Sequence, residues 1–173
     1  MGRAVRAGVL AAVLSSVSLL LGPSAKADEL TGAWRGTVTL DGQTTEFTAT
    51  FSENGYFLFT YTTNAGFVRT VELSGPGQIR FAPAGGGIMT LVVQSVERRP
   101  GGVAYVLHTG FERQTGSGVE KEYVLEEADY ALTAAGLRVR IVSRPVSSLE
   151  DPGGSAGGSQ DARVHEGLLK RLP

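Results

Sequence analysis

The sequence predicts an all-β fold: an antiparallel up-and-down β-barrel of about eight strands. Over residues 33–144 no apolar spacing of helical period persists, and short segments alternate between apolar and polar residues instead. Each segment ends at Gly, Pro, Asn or Asp, and the connections are too short for parallel crossovers. Such a meander removes its exposed edges by closing into a small barrel, and a two-sheet β-sandwich is the structural alternative.

The first hairpin shows this pattern clearly. Trp34 and Val38 share one face of a predicted strand over residues 34–40, and arginine and threonine occupy the other face. Asp41-Gly42 favours a two-residue turn, because both residue types tolerate positive φ. On the next predicted strand, residues 44–51, the apolar face consists of Phe47, Ala49 and Phe51.

Both ends of the chain differ in character from the predicted barrel domain, residues 28–145. Residues 1–27 have the parts of a signal peptide: arginines, an apolar run, and small residues before a cleavage site. The run is shorter than the roughly 20 residues of a transmembrane helix, so we expect cleavage, with no stable membrane anchor afterwards, and a periplasmic or secreted protein. Residues 146–173 begin as a Gly/Ser-rich linker and end in a short amphipathic segment. We expect a disordered tail there, or a short helix that docks on the barrel or on a partner.

The composition excludes several kinds of chemistry. The chain has no cysteine, and therefore no thiolate nucleophile, disulfide or cysteine zinc site. Lys and Arg total 16 against 17 Asp and Glu, so there is no basic field for nucleic acid. Of the two histidines, His108 is predicted on the outer face of its strand and His165 in the tail, each without a partner nearby in the sequence. We predict a protein that is not an enzyme and uses no metal or cofactor.

Aromatic residues form the strongest candidate for a binding site. Those assigned to the interior are Phe57, Phe59, Tyr61, Tyr105 and Tyr123. In a small barrel these rings fill the core, whereas in a wider one they line a pocket whose tyrosine hydroxyls orient a ligand. The leading prediction is an exported protein that holds a small apolar or amphipathic molecule in the barrel. The alternative is an envelope or secreted interaction module, or an inhibitor, with a filled barrel.

The densest acidic segment contains Glu120, Glu122, Glu126, Glu127 and Asp129, and the first three share one face of a predicted strand. Neighbours of the same parity stand about 7 Å apart, so these carboxylates would not chelate a single ion without ligands from another strand. We expect a solvated outer face here, paired across strands with Arg138 and Arg140.

Gly32-Ala33-Trp34, at the start of the first strand, resembles the G-x-W mark of lipocalins and their calycin relatives, which include avidins and fatty-acid-binding proteins. The resemblance implies an eight-stranded barrel that is open on a ligand cavity at one end and closed by the tryptophan at the other. In that superfamily an arginine of the final strand often covers the tryptophan. Trp34 is then expected to be a structural plug, with Arg138, Arg140 or Arg144 as its partner. The apolar residues of that predicted strand, Leu137, Val139 and Ile141, are expected to face inward, which places the three arginines on the opposite face.

Overall fold

The computed structural model of the protein describes residues 29–40, 42–62, 67–81, 87–150 and 162–173. The predicted signal peptide, Asp41, and residues 151–161 of the predicted linker lie outside these ranges. In chain order the elements are β1 (Gly32–Leu40), β2 (Gln43–Ser52), a 3-10 helix (Glu53–Gly55), β3 (Phe57–Thr62), β4 (Phe67–Glu72), β5 (Gly77–Phe81), β6 (Ile88–Arg99), β7 (Gly102–Thr115), β8 (Gly118–Thr133), β9 (Gly136–Pro145) and β10 (Arg163–Arg171). None of the helical structure in the described ranges has the length and apolar character to cross a membrane.

The strands form one antiparallel sheet with the order β4-β3-β2-β1-β10-β9-β8-β7-β6-β5. This confirms the predicted all-β, up-and-down architecture, with ten strands in place of about eight, and the sheet curves into a nearly closed barrel. Consecutive strands pair, except that β4 and β5 are the two edges of the sheet. β10 lies between β1 and β9 and thereby joins the two halves of the sheet. In the described part of the chain, the barrel remains open only between β4 and β5.

The predicted inward faces are confirmed on β1, β2 and β9, where apolar and polar residues alternate clearly. The β1–β2 hairpin has the predicted two-residue loop, because Leu40 pairs with Gln43, and Gly42 adopts a φ of 77°. The buried residues of the three strands with clear alternation are Trp34 and Val38 on β1, Phe47, Ala49 and Phe51 on β2, and Leu137, Val139 and Ile141 on β9.

The expectation of a disordered or helical tail is wrong for residues 163–171, which form β10. Trp34 pairs with Arg171 on one side of this strand, and Leu137 pairs with Leu169 on the other. Leu169 is fully buried, so β10 belongs to the core. A helix of about three turns interrupted by glycine is marginal, whereas a strand at this position satisfies the backbone groups of two open edges at once.

Two glycines let β1 and β10 approach each other closely. A Cβ atom on Gly167 would overlap the carbonyl oxygen of Thr37 and lie 2.8 Å from Val38 Cγ1. A Cβ atom on Gly36 would likewise overlap the backbone of β10, at the carbonyl oxygen of Leu168. Only glycine fits both positions without moving one strand away from the other.

The barrel is filled at the end where Trp34 lies. Phe51 meets Tyr130 edge to face, with ring centroids 5.6 Å apart, and Tyr130 stacks on Tyr105 at 6.2 Å. Leu58 and Leu137 are fully buried beside these rings. Residues without any exposed surface border no water-sized space, so the interior here is solid.

Trp34 is buried at this closed end and is covered by the chain terminus. Its Nε1 donates a hydrogen bond to the carbonyl oxygen of Leu30 at 2.9 Å, and the guanidinium of Arg171 lies over its ring. The predicted partners, Arg138, Arg140 and Arg144, were the wrong choice. They lie on the exposed outer face of β9, and the final strand of the barrel is β10.

Candidate ligand site at the open end of the barrel

The end opposite Trp34 is less tightly filled. Inward-facing side chains that are only partly buried surround it, and we call these residues the barrel mouth: Thr45, Thr62, Met89, Phe111, Val124, Ser143 and His165. They come from β2, β3, β6, β7, β8, β9 and β10, so they border the mouth on most of its circumference. A ring of apolar side chains interspersed with hydroxyls and an imidazole is suited to an amphipathic molecule.

A buried charged cluster lies beneath the barrel mouth. Arg69 on β4 donates to Glu126 at 2.6 Å from Nη1 and to the Tyr105 hydroxyl at 3.0 Å from Nη2. The same hydroxyl donates to Glu126 at 3.2 Å. By register, Arg69 lies opposite Thr60, one inward position below Thr62. The cluster therefore spans the barrel from the edge strand β4 to β7 and β8 and forms the floor of the mouth.

The electrostatics of this floor determine the protonation states of Arg69 and Tyr105. Burial alone would lower the pKa of Arg69, but the Glu126 carboxylate raises it, and the net shift is upward. Burial raises the pKa of Tyr105 well above its ordinary value, although Arg69 opposes that shift. Arg69 is thus a permanent cation and Tyr105 a neutral hydroxyl.

Several polar atoms near the mouth are buried without a hydrogen-bond partner among the described residues. They include Nε of Arg69 and the hydroxyl of Thr45. Native proteins seldom bury such atoms unpaired, because each one costs roughly 1–3 kcal/mol. Nε of Arg69 is a donor and the Thr45 hydroxyl can donate or accept, so both atoms keep unused hydrogen-bonding capacity beside the mouth.

One concave region lies at the rim of the barrel mouth, and another lies on the outer wall of the barrel. At the rim of the mouth, a pocket of about 90 Å³ is lined by Glu122, Val124, Ser143, Arg144, Pro145 and Arg163. A larger groove of about 300 Å³ lies on the outer face of β6 to β9. It contains the Arg99–Asp129 ion pair and carries both signs of charge.

The structure separates the five aromatic residues that the sequence placed together. Tyr105 is inside, as predicted. Phe59 and Tyr61 are not, because each is 39% exposed on the outer face of β3, and Phe57 shares their strand parity. In the pairing of β2 with β3, Leu58 lies opposite the inward residue Phe51 and Thr60 lies opposite Ala49, so Leu58 and Thr60 face inward instead.

Tyr123 also lies outside the barrel, contrary to prediction. It pairs with Gly110, which has the same parity as His108 on β7, and its backbone carbonyl accepts a hydrogen bond from Val146 at 2.9 Å. His108 is on the outer face, as predicted, but it is fully buried rather than solvated. Residues 146–150, which we call the strap, lie over this face: Val146 bonds to the Tyr123 backbone and the Leu149 carbonyl oxygen lies against His108.

The acidic segment is divided between two environments. Glu120 is exposed and pairs with Arg113, as expected of a solvated face. Glu126 is not solvated, because its parity matches that of the inward residues Ala128 and Tyr130. Of the two predicted arginines, Arg138 lies 3.5 Å from Asp129 of this segment, as expected, whereas Arg140 lies 3.0 Å from Glu166 on β10 instead.

The sequence could have indicated only one member of the charged cluster, Arg69. Arg69 has the strand parity of Val71 and Leu73, so a cation falls on an otherwise apolar face. Its carboxylate partner is 57 residues away in the chain and could not be paired with it from spacing. Among the described residues no group of three or more His, Asp or Glu side chains is arranged to hold a metal ion.

Protein-family models, curated proteins and solved structures were each compared with the chain, and none of them matches it. The geometry of the barrel mouth and of its floor therefore has to support any assignment of function.

Proposed function

We propose that this protein binds a small amphipathic molecule in the barrel mouth and carries out no chemistry on it. The observation that supports this best is the contrast between the two ends of the barrel. One end is solid around Tyr105 and Tyr130, whereas inward-facing Met89, Phe111 and Val124 are only partly buried at the other. Apolar side chains left accessible on a concave surface are typical of ligand sites.

The floor of the mouth supports an amphipathic rather than a purely apolar ligand. Arg69, Glu126 and Tyr105 satisfy one another, yet Nε of Arg69 has no partner. A polar end would lie above this charged and hydroxylated floor, and the apolar remainder would contact Phe111 and Val124. This assignment replaces the predicted set of five aromatic residues by the barrel mouth.

The proposal also includes export of the protein and a distant relationship to the calycins. The tripartite pattern of residues 1–27 supports a signal peptide and a periplasmic or secreted protein. The buried Trp34 beneath Arg171 of the final strand, in a nearly closed antiparallel barrel, supports a distant calycin relationship. N-terminal sequencing of protein recovered from the periplasm or the medium should begin at Asp28, and a chain that keeps Met1 would contradict export.

The binding proposal can be tested with 6-propionyl-2-(dimethylamino)naphthalene, an uncharged amphipathic dye whose emission shifts to shorter wavelength in apolar sites. We expect saturable binding with one molecule per chain. Val124→Lys places a charged side chain at the mouth and should weaken binding at least about tenfold, or about 1.4 kcal/mol. Circular dichroism would verify that the barrel of this variant is intact.

Phe59→Ser combined with Tyr61→Ser provides the matched control, because both rings lie on the outer face of β3. This double variant should bind the probe as the unsubstituted protein does. Binding that is insensitive to Val124→Lys but abolished by the control variant would contradict the proposal.

A second function has an observation of its own. Phe59, Tyr61 and Val68 are exposed together on β3 and β4, with Tyr61 directly opposite Val68. The strand β4 is also an edge of the sheet. An exposed apolar patch beside an unpaired edge is typical of a protein-interaction surface, and loss of probe binding in the control variant alone would favour this function.

A further inference from the structure

The strap is bound to the outer wall of the barrel as an extended peptide. The backbone N–H of Val146 donates to the carbonyl oxygen of Tyr123 at 2.9 Å, and the Val146 side chain is buried. Leu149 occupies a socket that exists because position 110 is glycine: a Cβ atom there would lie 3.0 Å from Leu149 Cδ1. The strap thus has two anchors, one at each end.

His108 lies directly beneath the second anchor. Its Nδ1 is 3.0 Å from the carbonyl oxygen of Leu149 and 3.4 Å from Nε2 of Gln94. Because a carbonyl oxygen can only accept, Nδ1 must carry the proton in the shorter contact. Nε2 is then an acceptor, and it is buried without a partner. The neutral imidazole is therefore the form that holds the strap.

Among the described residues, no charged side chain is placed to pair with a protonated His108 imidazole. The residues opposite His108 are Val92 on β6 and Leu125 on β8, and both are apolar. The titratable and charged groups on the same outer face are Glu112 on β7, Tyr123 and Glu127 on β8, Arg144 on β9 and Glu150 at the end of the strap. In the described part of the chain none of them forms an ion pair or hydrogen bond with His108.

We propose that His108 is a pH-sensitive latch that holds residues 146–150 on the outer wall at neutral pH and releases them in acid. A second proton on the ring would place a charge and an additional N–H donor in a buried site bordered by the apolar residues Val92 and Leu125. Opening of the strap lets the imidazolium reach solvent. Because one proton is taken up on opening, the opening equilibrium can rise by at most tenfold per pH unit. Histidine is the side chain that ordinarily changes charge between pH 5 and 8.

The absence of cysteine from the chain makes the test direct. Ser147 is an exposed strap residue, so Ser147→Cys can carry a nitroxide label without disturbing the packing. Electron paramagnetic resonance should show an immobile label at about pH 7.5. At about pH 5 the mobile fraction should rise at least about tenfold, while circular dichroism of the barrel stays unchanged. An unchanged spectrum of the label over this range would overturn the proposal.

Two substitutions assign the effect to His108. Glutamine can still donate to the Leu149 carbonyl but does not titrate, so His108→Gln should keep the label immobile at both pH values. His165→Gln, which alters the other histidine of the chain, should leave the pH response intact. A response that persists in His108→Gln, or disappears in His165→Gln, would count against the latch.

Two further measurements keep the proposal testable if His108→Gln fails to fold. Leu149→Ala empties the socket at Gly110 and should give a mobile label at both pH values. In the protein without that change, carbon-13 NMR of labelled histidine should show His108 titrating at the pH where the label becomes mobile. Clearly separate midpoints would rule the latch out.

Discussion

The guanidinium of Arg171 lies 5.2 Å from the ring centroid of Trp34, so the last strand covers the first at the closed end of the barrel. Arg171 also donates to the carbonyl oxygen of Thr31. A single side chain thereby combines a cation–π contact with a backbone hydrogen bond across the junction of β1 and β10. This arrangement ties the barrel together where its two terminal strands meet.

Arg171→Ala should lower the free energy of unfolding by about 1–2 kcal/mol, since it removes both contacts. Urea denaturation measures this loss. Trp34 is the only tryptophan, so its fluorescence should shift to longer wavelength as the indole gains contact with water. Arg138→Ala is the control, because that side chain is 60% exposed and its ion pair should contribute less than about 1 kcal/mol. Equal losses in the two variants would contradict the assigned role of Arg171.

Gly167→Ala should destabilise the barrel by about 3 kcal/mol or more. The added methyl group would overlap the Thr37 carbonyl oxygen, and β1 and β10 could keep their register only by moving apart. Gly116→Ala adds the same methyl group at a turn where no atom lies within 4 Å, and should change stability by less than about 0.5 kcal/mol. Thermal unfolding of both variants tests the prediction, which fails if the two melt together.

The Arg69–Glu126 pair should show strong coupling in a double-mutant cycle. Arg69→Met or Glu126→Leu alone leaves one buried charge without its partner and should cost about 3–5 kcal/mol. The double variant should cost clearly less than the sum of the two losses, because it leaves no isolated charge. The exposed pair Arg113–Glu120 is the reference, with a coupling below about 1 kcal/mol. Additive losses at Arg69 and Glu126 would show that they do not act as a pair.

Stability should decline in alkali because of two buried tyrosines. Burial raises the pKa of Tyr105 and that of Tyr130 above their ordinary value near 10. The folded protein then holds protons that the unfolded chain releases, so the stabilisation is complete below about pH 10 and is lost as the pH rises further. Denaturation midpoints between about pH 8 and pH 11.5 should show this decline.

Tyr130→Phe isolates one of the two contributions. The Tyr130 hydroxyl has no hydrogen-bond partner in the described structure, so the variant should be nearly as stable as the unsubstituted protein at neutral pH. Above pH 10 the free energy of unfolding of this variant should fall with pH about half as steeply as that of the unsubstituted protein. Tyr61→Phe, on the exposed face of β3, should leave the slope unchanged. A full slope in Tyr130→Phe would show that this hydroxyl ionises in the folded state.

Alternation predicted the fold correctly where it was unambiguous. On β1 and β9 a polar face opposes an apolar one, and the inward residues Val38 and Val139 were identified correctly. β3 is apolar on both faces, so alternation alone could not orient it, and its inward face follows from the register in which Leu58 lies opposite Phe51. The rings of Phe59 and Tyr61 were therefore assigned to the wrong side.

The remaining differences come from contacts between distant segments. In residues 163–171 the apolar spacing of Val164 and Leu168 suggests a helix, and only the free edges of β1 and β9 make the segment a strand. His108 was placed on the correct face, but its burial depends on a strap about 40 residues later in the chain. Local patterns carry neither kind of information.

The pairing of β10 with β1 also determines when this protein can fold. Thr31 and Arg171, which meet in the finished barrel, are 140 residues apart along the chain. During synthesis β1 cannot pair with β10 until residues 163–171 have emerged, so the hydrogen bonds between these two strands cannot form earlier. Contacts of such long sequence separation slow folding and leave strand edges exposed for longer. A chain that ends before residue 163 would keep the edges of β1 and β9 permanently open, and these edges could pair with other copies.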